Sequence, residues 1–273
     1  MNPVFYDTHC HLDYGDFDAD RDEVVRRAEE SGVSRMIVVG TDLASSRKAI
    51  GMAERHASVW AVVGWHPGHA TEAPLDIRDE LRELGRHPRV VGIGETGLDY
   101  YRLPEGEGEE AEARREEIRE RQRALFRQQL EVAAELGLNC VVHQRASFED
   151  TVRVFAPYAD RVKSVFHCFA GTVGEMEQVI GMGSLVSFTG IVTFKNAAGI
   201  REVAKVVPEG KFMVETDSPF LAPVPYRGKR CEPAYVRHTA EAIAVERGCP
   251  VEELSRVTCA TAEGFFRGLG AER

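Results

Sequence analysis

The chain has 273 residues, of which 43% are hydrophobic and 29% charged, a composition that excludes a disordered protein and suits one folded domain. Its formal net charge of −10 argues against a nonspecific nucleic-acid binder, which would be basic, but permits an enzyme whose site is locally positive or holds cations. No apolar run approaches the ~20 residues that span a membrane, and the N-terminus lacks a signal peptide, so a cytoplasmic protein without membrane contact is expected.

Short apolar, β-branched runs recur along the chain and predict eight strands. In chain order the predicted strands cover residues 4–6, 36–39, 59–63, 90–93, 139–142, 164–166, 185–188 and 212–214. Segments with helical periodicity separate them. The predicted helices cover residues 20–31, 43–57, 75–85, 118–136, 148–158, 173–181 and 200–206, followed by 233–247 and 251–269.

Alternation of strand and helix implies a parallel sheet, and eight repeats predict an α/β fold of the (β/α)₈ TIM-barrel type. We expect residues 1–273 to form one such domain. An open doubly wound sheet is the alternative, although no glycine-rich phosphate loop follows the first strand. Residues 104–123 depart from the rhythm because they are dense in Glu and Arg. They predict a solvent-exposed loop that runs into an extended helix N-terminus, with Glu/Arg pairs on its face.

The first predicted strand leads into the sequence Asp7-Thr8-His9-Cys10-His11. Side chains two residues apart on a strand share a face, so His9 and His11 present two imidazoles side by side. Neutral imidazole is a common metal ligand, and the pair predicts a metal site unless it is simply exposed or packed in the core. Cys10 faces the other side and is expected to be a small buried residue. The six cysteines form no CxxC pair, which favours a reducing compartment.

Six of the eight strands end in a potential ligand or acid–base group, at the rim where such barrels place their active sites. These groups are Asp7, His9 and His11 after strand one, His66 after three, Glu95 after four, His143 after five, His167 after six, and Glu215 and Asp217 after eight. Each one alone could be a helix cap or a core residue. Buried together without a counter-charge, the carboxylates would cost several kcal/mol, which divalent cations would remove. The mixed set suits Zn²⁺, Mn²⁺ or Fe²⁺, and six ligands indicate two ions that share a carboxylate.

Five motifs follow one another along most of the chain. They are DTHCHLD at 7–13, GWHP at 64–67, GIGETGLDY at 92–100, HCFAG at 167–171 and ETDSPFL at 215–221. In these motifs and their order the chain resembles the TatD-like DNases, metal-dependent hydrolases of the amidohydrolase type. It differs from the family pattern in Gln144, where Ser is usual, and in Cys231, where Asn is usual, and both changes concern substrate contacts.

The resemblance implies a TIM barrel with two divalent metal ions, Mg²⁺, Mn²⁺ or Zn²⁺. It implies that one ion is held by His9, His11, Glu95 and Asp217, and the other by Glu95, His143 and His167, with His66 near the substrate phosphate. Its implied activity is 3′→5′ exonucleolytic cleavage of DNA, on single strands or 3′ ends, with suggested roles in DNA repair. Some relatives are linked instead to removal of D-amino acids from tRNA.

The expected mechanism is attack of a metal-activated water on phosphorus, with Asp217 as the general base and Glu95 shared between the ions. Asp7 and Glu215 are expected to support the ligands. The residues expected to contact phosphate are Arg145, Lys195, Arg227, Lys229 and Arg230. Those that could stack on bases, or simply pack, are Tyr100, Tyr101, Trp65 and Phe220.

Two other functions fit the same residues. A D-aminoacyl-tRNA deacylase, or another hydrolase of C–N or ester bonds, could use the same metals, because an activated water attacks either centre. A non-catalytic metal-binding scaffold is the alternative from another class. A monomer is expected.

Overall fold

The core of the computed structural model, which describes residues 3–270, is a ring of eight parallel strands that pair in chain order. The strands are β1 Phe5–Cys10, β2 Val33–Val39, β3 Val59–Val63, β4 Val90–Asp99, β5 Asn139–Arg145, β6 Ser164–Phe166, β7 Leu185–Phe188 and β8 Phe212–Val214. Just beyond β8, the amide of Asp217 donates to the carbonyl of His9 at 2.9 Å, and the amide of His11 donates to the carbonyl of Ser218 at 2.8 Å. These bonds join the last strand to the first, and the predicted (β/α)₈ barrel is confirmed.

Helices follow the strands on the outside of the ring. They are α1 Arg21–Glu30, α2 Leu43–Arg55, α3 Arg78–Gly85, α4 Glu109–Leu136, α5 Phe148–Phe155, α6 Val173–Gly181, α7 Ala198–Val206, α8 Val236–Arg247 and α9 Val251–Phe265. None of the helices within residues 3–270 is long and apolar enough to cross a membrane.

The helix α4 begins at Glu109 and has 28 residues, so it starts earlier than the predicted residue 118. The segment 104–123 is a loop over residues 104–108 that runs into an extended helix N-terminus, as predicted, with the helix starting earlier along it than expected. Ion pairs within one helical face account for this, because they support a helix that has little apolar surface to bury. Arg115 lies 2.7 Å from Glu112, and Arg119 lies 3.2 Å from Glu116.

The strands β4 and β5 continue to Asp99 and Arg145, past their predicted ends at 93 and 142. The apolar pattern ends where polar side chains begin, but the backbone ladder continues, with Gly97 paired to His143 and Asp99 to Arg145. The polar residues therefore sit on regular strands, which hold side chains more rigidly than loops do.

Apolar side chains fill the barrel interior at the N-terminal end of the strands. Inward-facing side chains such as Ile37, Val62 and Val141 pack in one buried cluster with Phe265 and Phe266 at the end of α9. A second buried cluster lies between the sheet and the outer helices. Since α9 covers the N-terminal end, the polar residues collect at the C-terminal end of the strands.

Candidate metal centre

Four donor side chains meet where β1, β4 and the turn after β8 approach one another. The Nε2 atoms of His9 and His11 lie 3.1 Å apart. Oε2 of Glu95 lies 3.5 Å from each of them, and Oδ1 of Asp217 lies 3.7 Å from His9 and 3.4 Å from His11. Ligands ~2.1 Å from a tetrahedral ion are about 3.4 Å from each other. The spacing of His9, His11 and Glu95 therefore fits one cation, and Asp217 lies beside the two histidines.

The second oxygen of Glu95 faces a separate pair of histidines. Its Oε1 lies 2.8 Å from Nδ1 of His143 and 2.8 Å from Nε2 of His167, and these two nitrogens are 3.3 Å apart. Glu95 is buried, with 3% of its surface exposed. One carboxylate thus presents one oxygen to each cluster, which is the arrangement of a bridging ligand.

The chemistry of the donors also favours cations. Nε2 of His9, Nε2 of His11, Nδ1 of His143 and Nε2 of His167 all face the oxygens of Glu95, at 3.5, 3.5, 2.8 and 2.8 Å. Imidazoles crowd around one carboxylate at distances at which lone pairs would face each other unless something positive lies between them. Nitrogen and carboxylate donors together suit Zn²⁺ or Mn²⁺. The residues present therefore fit a metal-binding role.

The protonation of His11 is set by a backbone group. Its Nδ1 lies 2.8 Å from the carbonyl oxygen of Val39 at the end of β2. A carbonyl only accepts, so Nδ1 carries a proton and Nε2 is the nitrogen that faces the cluster. Second partners of this kind commonly orient metal-bound histidines.

His66 is placed differently from the other histidines. Burial lowers the pKa of His66 to about 3, so its ring is neutral at ordinary pH. Its Nδ1 accepts a hydrogen bond from the amide of Gly68 at 3.0 Å, which leaves the proton on Nε2. That N–H lies 3.5 Å from Oε1 of Glu95, at the mouth of the site. A neutral N–H donor there suits a phosphate oxygen better than a cation.

The carboxylates of Glu95 and Asp217 are charged. Burial alone would raise the pKa of Glu95, but the surrounding imidazoles hold it well below its usual range. Burial also opposes ionisation of Asp217, yet its hydrogen bond with His11 keeps the pKa of Asp217 below its ordinary value. Burial disfavours the charged form of His11, but Asp217 and Glu95 outweigh it and raise the pKa of His11 to about 9. Protons on the histidines therefore compete with cations for this site.

Glycines allow β4 to bring Glu95 this close to its neighbours. A Cβ on Gly97 would lie 2.1 Å from the carbonyl oxygen of His143, and one on Gly64 would lie 2.5 Å from that of Gly94. Gly97 also has a φ of +123°, which other residues rarely adopt. The glycine spacing around Glu95 is thus a packing requirement of the strand that carries it.

Asp7 and Glu215, the two predicted supporting acids, accept hydrogen bonds from backbone amides of the turns that follow β8 and β6. Asp7 accepts hydrogen bonds from the amide of Thr216 at 2.9 Å and from its hydroxyl at 2.6 Å, next to Asp217. Asp217 itself has a φ of 57°, a conformation that costs energy outside glycine and recurs at functional sites.

Glu215 is buried and receives two hydrogen bonds. The amide of Cys168 donates to its Oε1 at 2.6 Å, and the hydroxyl of Ser187 donates to its Oε2 at 2.7 Å. Its Oε1 also lies 3.5 Å from Nδ1 of His167. Glu215 therefore fixes the turn that follows β6 and the ring of His167.

Asp99 is a site residue that the sequence reasoning left out of its candidate set. Its Oδ2 lies 3.5 Å from Nε2 of His143, and 3% of its surface is exposed. The signal was available, because Asp99 is four residues after Glu95 on one strand and so shares its face. Tyr14 was also missed. Its ring stacks on that of His11 with centroids 4.8 Å apart.

The predicted phosphate-binding arginines differ in their surroundings. Arg145 is exposed at the end of β5, and its guanidinium lies 3.8 Å from the ring centroid of Tyr101. Arg227 is exposed and lies 4.2 Å from the ring of Phe194. Both present a cation on an aromatic face at the surface.

Arg230 is engaged in a network that fixes a loop. Its guanidinium donates to both oxygens of Asp20, at 2.8 and 2.7 Å, and to Glu232 at 3.1 Å. This fork ties the loop before α8 to the start of α1. Lys195 and Lys229 are exposed.

The four candidate stacking residues fall into two groups. Trp65 is buried, and Tyr100 is half-buried with its hydroxyl donating to Asp150 at 2.8 Å, so both serve packing. Tyr101 and Phe220 are 66% and 51% exposed. Cys231, at one of the departures from the family pattern, is fully buried and belongs to the core.

The whole arrangement matches a known family. The model of the TatD related DNases matches residues 6–267. This chain belongs to that family. It is therefore a metal-dependent hydrolase of the TatD type, and the resemblance in its motifs is confirmed.

Several TatD-family relatives align over nearly the full length of the chain. It is 36% identical to the uncharacterized metal-dependent hydrolase YabD of Bacillus subtilis, over 97% of this chain and 99% of the relative. It is 34% identical to the 3′-5′ ssDNA/RNA exonuclease TatD of Erwinia amylovora, over 96% and 99%. The crystal structure of the TatD homologue YJJV from Escherichia coli superposes with a TM-score of 0.83 at 25% identity, over 96% and 97%.

Proposed function

We propose that this TatD-family protein is a two-metal 3′→5′ exonuclease that hydrolyses the phosphodiester bonds of single-stranded DNA. The observation that carries the proposal is the bridging position of Glu95, with one oxygen toward His9 and His11 and the other toward His143 and His167. Relatives named as 3′-5′ ssDNA/RNA exonucleases support the choice of substrate.

Divalent cations held there would lower the pKa of a water and neutralise charge on the phosphate oxygens. The protein supplies the remaining groups. Asp217 is charged, and 15% of its side-chain surface is exposed, so it can take a proton from an incoming water. The N–H of His66 can donate to a non-bridging phosphate oxygen. The P–O3′ bond breaks as the water oxygen bonds to phosphorus, and the 3′ oxygen leaves with the electron pair.

Other residues would maintain this geometry. In three histidines, a second partner faces the ring nitrogen that points away from Glu95. Asp99 faces that nitrogen of His143, and Glu215 faces that of His167. The carbonyl of Val39 accepts a hydrogen bond from that of His11. Such partners raise ligand basicity and fix the orientation of the ring. Among the basic residues, Arg145, Lys195, Arg227 and Lys229 are exposed and available to a phosphate backbone. Cytoplasmic location, a role in DNA repair and a monomeric state stay predictions from the sequence.

The test is digestion of single-stranded DNA labelled at its 3′ end, or at its 5′ end, with Mg²⁺, Mn²⁺ or Zn²⁺ and with EDTA. We expect early release of the 3′ label as a mononucleotide, and a 5′-labelled ladder that shortens one nucleotide at a time. A D-aminoacyl-tRNA is assayed in parallel under the same conditions. Metal-dependent deacylation without DNA cleavage would replace the nuclease with a deacylase.

A further inference from the structure

An exposed stack of Tyr101 on Arg145 stands at the mouth of the metal centre. The guanidinium lies 3.8 Å from the ring centroid, and Tyr101 is 66% exposed. Both residues are anchored to the site. Arg145 follows His143 by two residues on β5, and the amide of Tyr101 donates to Oδ1 of Asp99 at 2.9 Å. The pair therefore forms an aromatic and cationic surface beside His143.

A cleft of about 770 Å³ begins one residue away, at Tyr100, and runs between α4 and α5. Its cationic side chains are Arg119, Arg123, Arg127 and Arg153. Glu116, Arg119 and Arg123, in the Glu- and Arg-rich first half of α4, line one of its walls. The Glu- and Arg-rich first half of α4 thus lies next to the site, on the side where β4 and β5 end.

The cleft is rich in guanidinium groups although the whole chain is acidic. Its lining has four arginines and two carboxylates, Glu116 and Asp150, and Glu112 and Glu120 beside it also pair with these arginines. Arg153 is 72% exposed and pairs with Asp150, and the side chain of Arg127 is 43% exposed and pairs with Glu120. Exposed ion pairs contribute little stability, so the exposed guanidinium groups of Arg127 and Arg153 can also bind a phosphate at small cost. A planar guanidinium also binds phosphate through two parallel hydrogen bonds.

We propose that the nucleic-acid strand passes from the metal centre over Tyr101 and Arg145 into the cleft between α4 and α5. A base stacks on Tyr101, and backbone phosphates bind Arg127 and Arg153. This inference rests on the proposed nuclease function and adds the path of the uncleaved part of the strand. A long substrate would use the cleft, whereas a dinucleotide would reach only the metal centre.

The experiment compares Tyr101→Ala, Tyr101→Phe and the double variant Arg127→Ala/Arg153→Ala with wild type. The matched control is Arg26→Ala/Arg237→Ala. Both of these arginines are half-exposed, and each pairs with a glutamate of its own helix, α1 or α8, away from the cleft. Cleavage of a thymidine dinucleotide and of oligo(dT)15 is measured with Mn²⁺. Binding of labelled oligo(dT)15 is measured by fluorescence anisotropy in EDTA over a range of salt concentrations.

For oligo(dT)15 we expect KM to rise about tenfold in Tyr101→Ala and in the double variant, in line with the loss of one stacked base or two phosphate contacts. We expect Tyr101→Phe to have the KM of the wild type, because phenylalanine keeps the aromatic ring. The salt slope of binding should flatten by about 1.4 in the double variant, about 0.7 for each lost phosphate contact. Cleavage of the dinucleotide and all values for the control should stay within twofold of wild type.

An unchanged KM and salt slope for oligo(dT)15 would overturn the proposed path while leaving the nuclease intact. If the wild type cleaves no DNA, but binds oligo(dT)15 more tightly than the variants do, the nuclease function is rejected and the cleft is retained as a DNA-binding site. Poly-glutamate of the same length is the second probe. Equal binding of poly-glutamate and DNA would assign the cleft to acidic peptides and contradict the proposal.

Discussion

Nε2 of His11 and Oδ1 of Asp217 lie 3.4 Å apart, although one follows the first strand and the other the last. The contact exists because the barrel closes at this point, where the amide of Asp217 bonds to the carbonyl of His9. The pairing that closes the barrel therefore also brings Asp217 next to His9 and His11. A protein that loses the pairing of β1 with the turn after β8 would also lose the proposed metal site at these residues.

Replacing Asp217 by Asn should remove the general base and one negative ligand while keeping the volume of the side chain. We expect kcat on single-stranded DNA to fall by about 10²–10⁴-fold, the usual range for general acid–base groups. The melting temperature should change by only a few degrees. The control is Asp79→Asn, an exposed aspartate on α3. A variant with wild-type kcat would remove Asp217 from the mechanism.

Replacing His66 by Leu, which has no hydrogen-bond donor, should leave metal binding unchanged and weaken substrate binding, because His66 offers an N–H donor and not a lone pair. Loss of one hydrogen bond to a charged group corresponds to about 1.5–3 kcal/mol, or about 10–100-fold in kcat/KM. Elemental analysis of the purified variant gives the metal content, and steady-state kinetics give kcat/KM. Loss of one metal equivalent would instead make His66 a ligand.

Metal affinity should rise with pH in the slightly acidic to mildly alkaline range. In the metal-free protein the pKa of His11 is raised to about 9, and the pKa of His167 lies well above its usual value. Below these values each ring holds a proton that a cation must displace, and above them it does not. We expect about a tenfold gain per pH unit for each proton released. Titration calorimetry with Mn²⁺ in buffers of different ionisation enthalpy counts the protons, and equal affinity at pH 6.5 and 8.5 would argue against this linkage.

Gly97→Ala should both destabilise the barrel and disturb the group formed by Glu95, His143 and His167. The added Cβ would lie 2.1 Å from the His143 carbonyl oxygen on a residue with a φ of +123°. We expect a loss of about 3 kcal/mol or more in the free energy of unfolding, measured by urea denaturation, with reduced metal content. Gly199→Ala is the control, since nothing lies within 4 Å of its added Cβ. Its free energy of unfolding should rise slightly or stay constant. Similar effects for both glycines would exclude the close approach of β4 and β5 as the cause.

The sequence by itself determined the barrel and the set of side chains at its rim. Strand periodicity is local, so the chain order of apolar runs predicts eight parallel strands, and the residues that follow each run must gather at one end. The positions of His9, His11, Glu95 and Asp217 relative to their strands could therefore be stated without coordinates, and the family motifs led to the same residues.

Only the tertiary structure decided what each polar group contacts. Alternation along a strand does not reveal that Val39 fixes the proton on His11, or that Asp99 faces His143. Composition likewise does not separate Arg230, held by Asp20, from Arg145, which stays exposed on Tyr101. Hydrogen bonds and ion pairs form between residues far apart in the chain, at distances of about 3 Å. Their existence depends on how the strands and helices pack, which no local pattern in the sequence records.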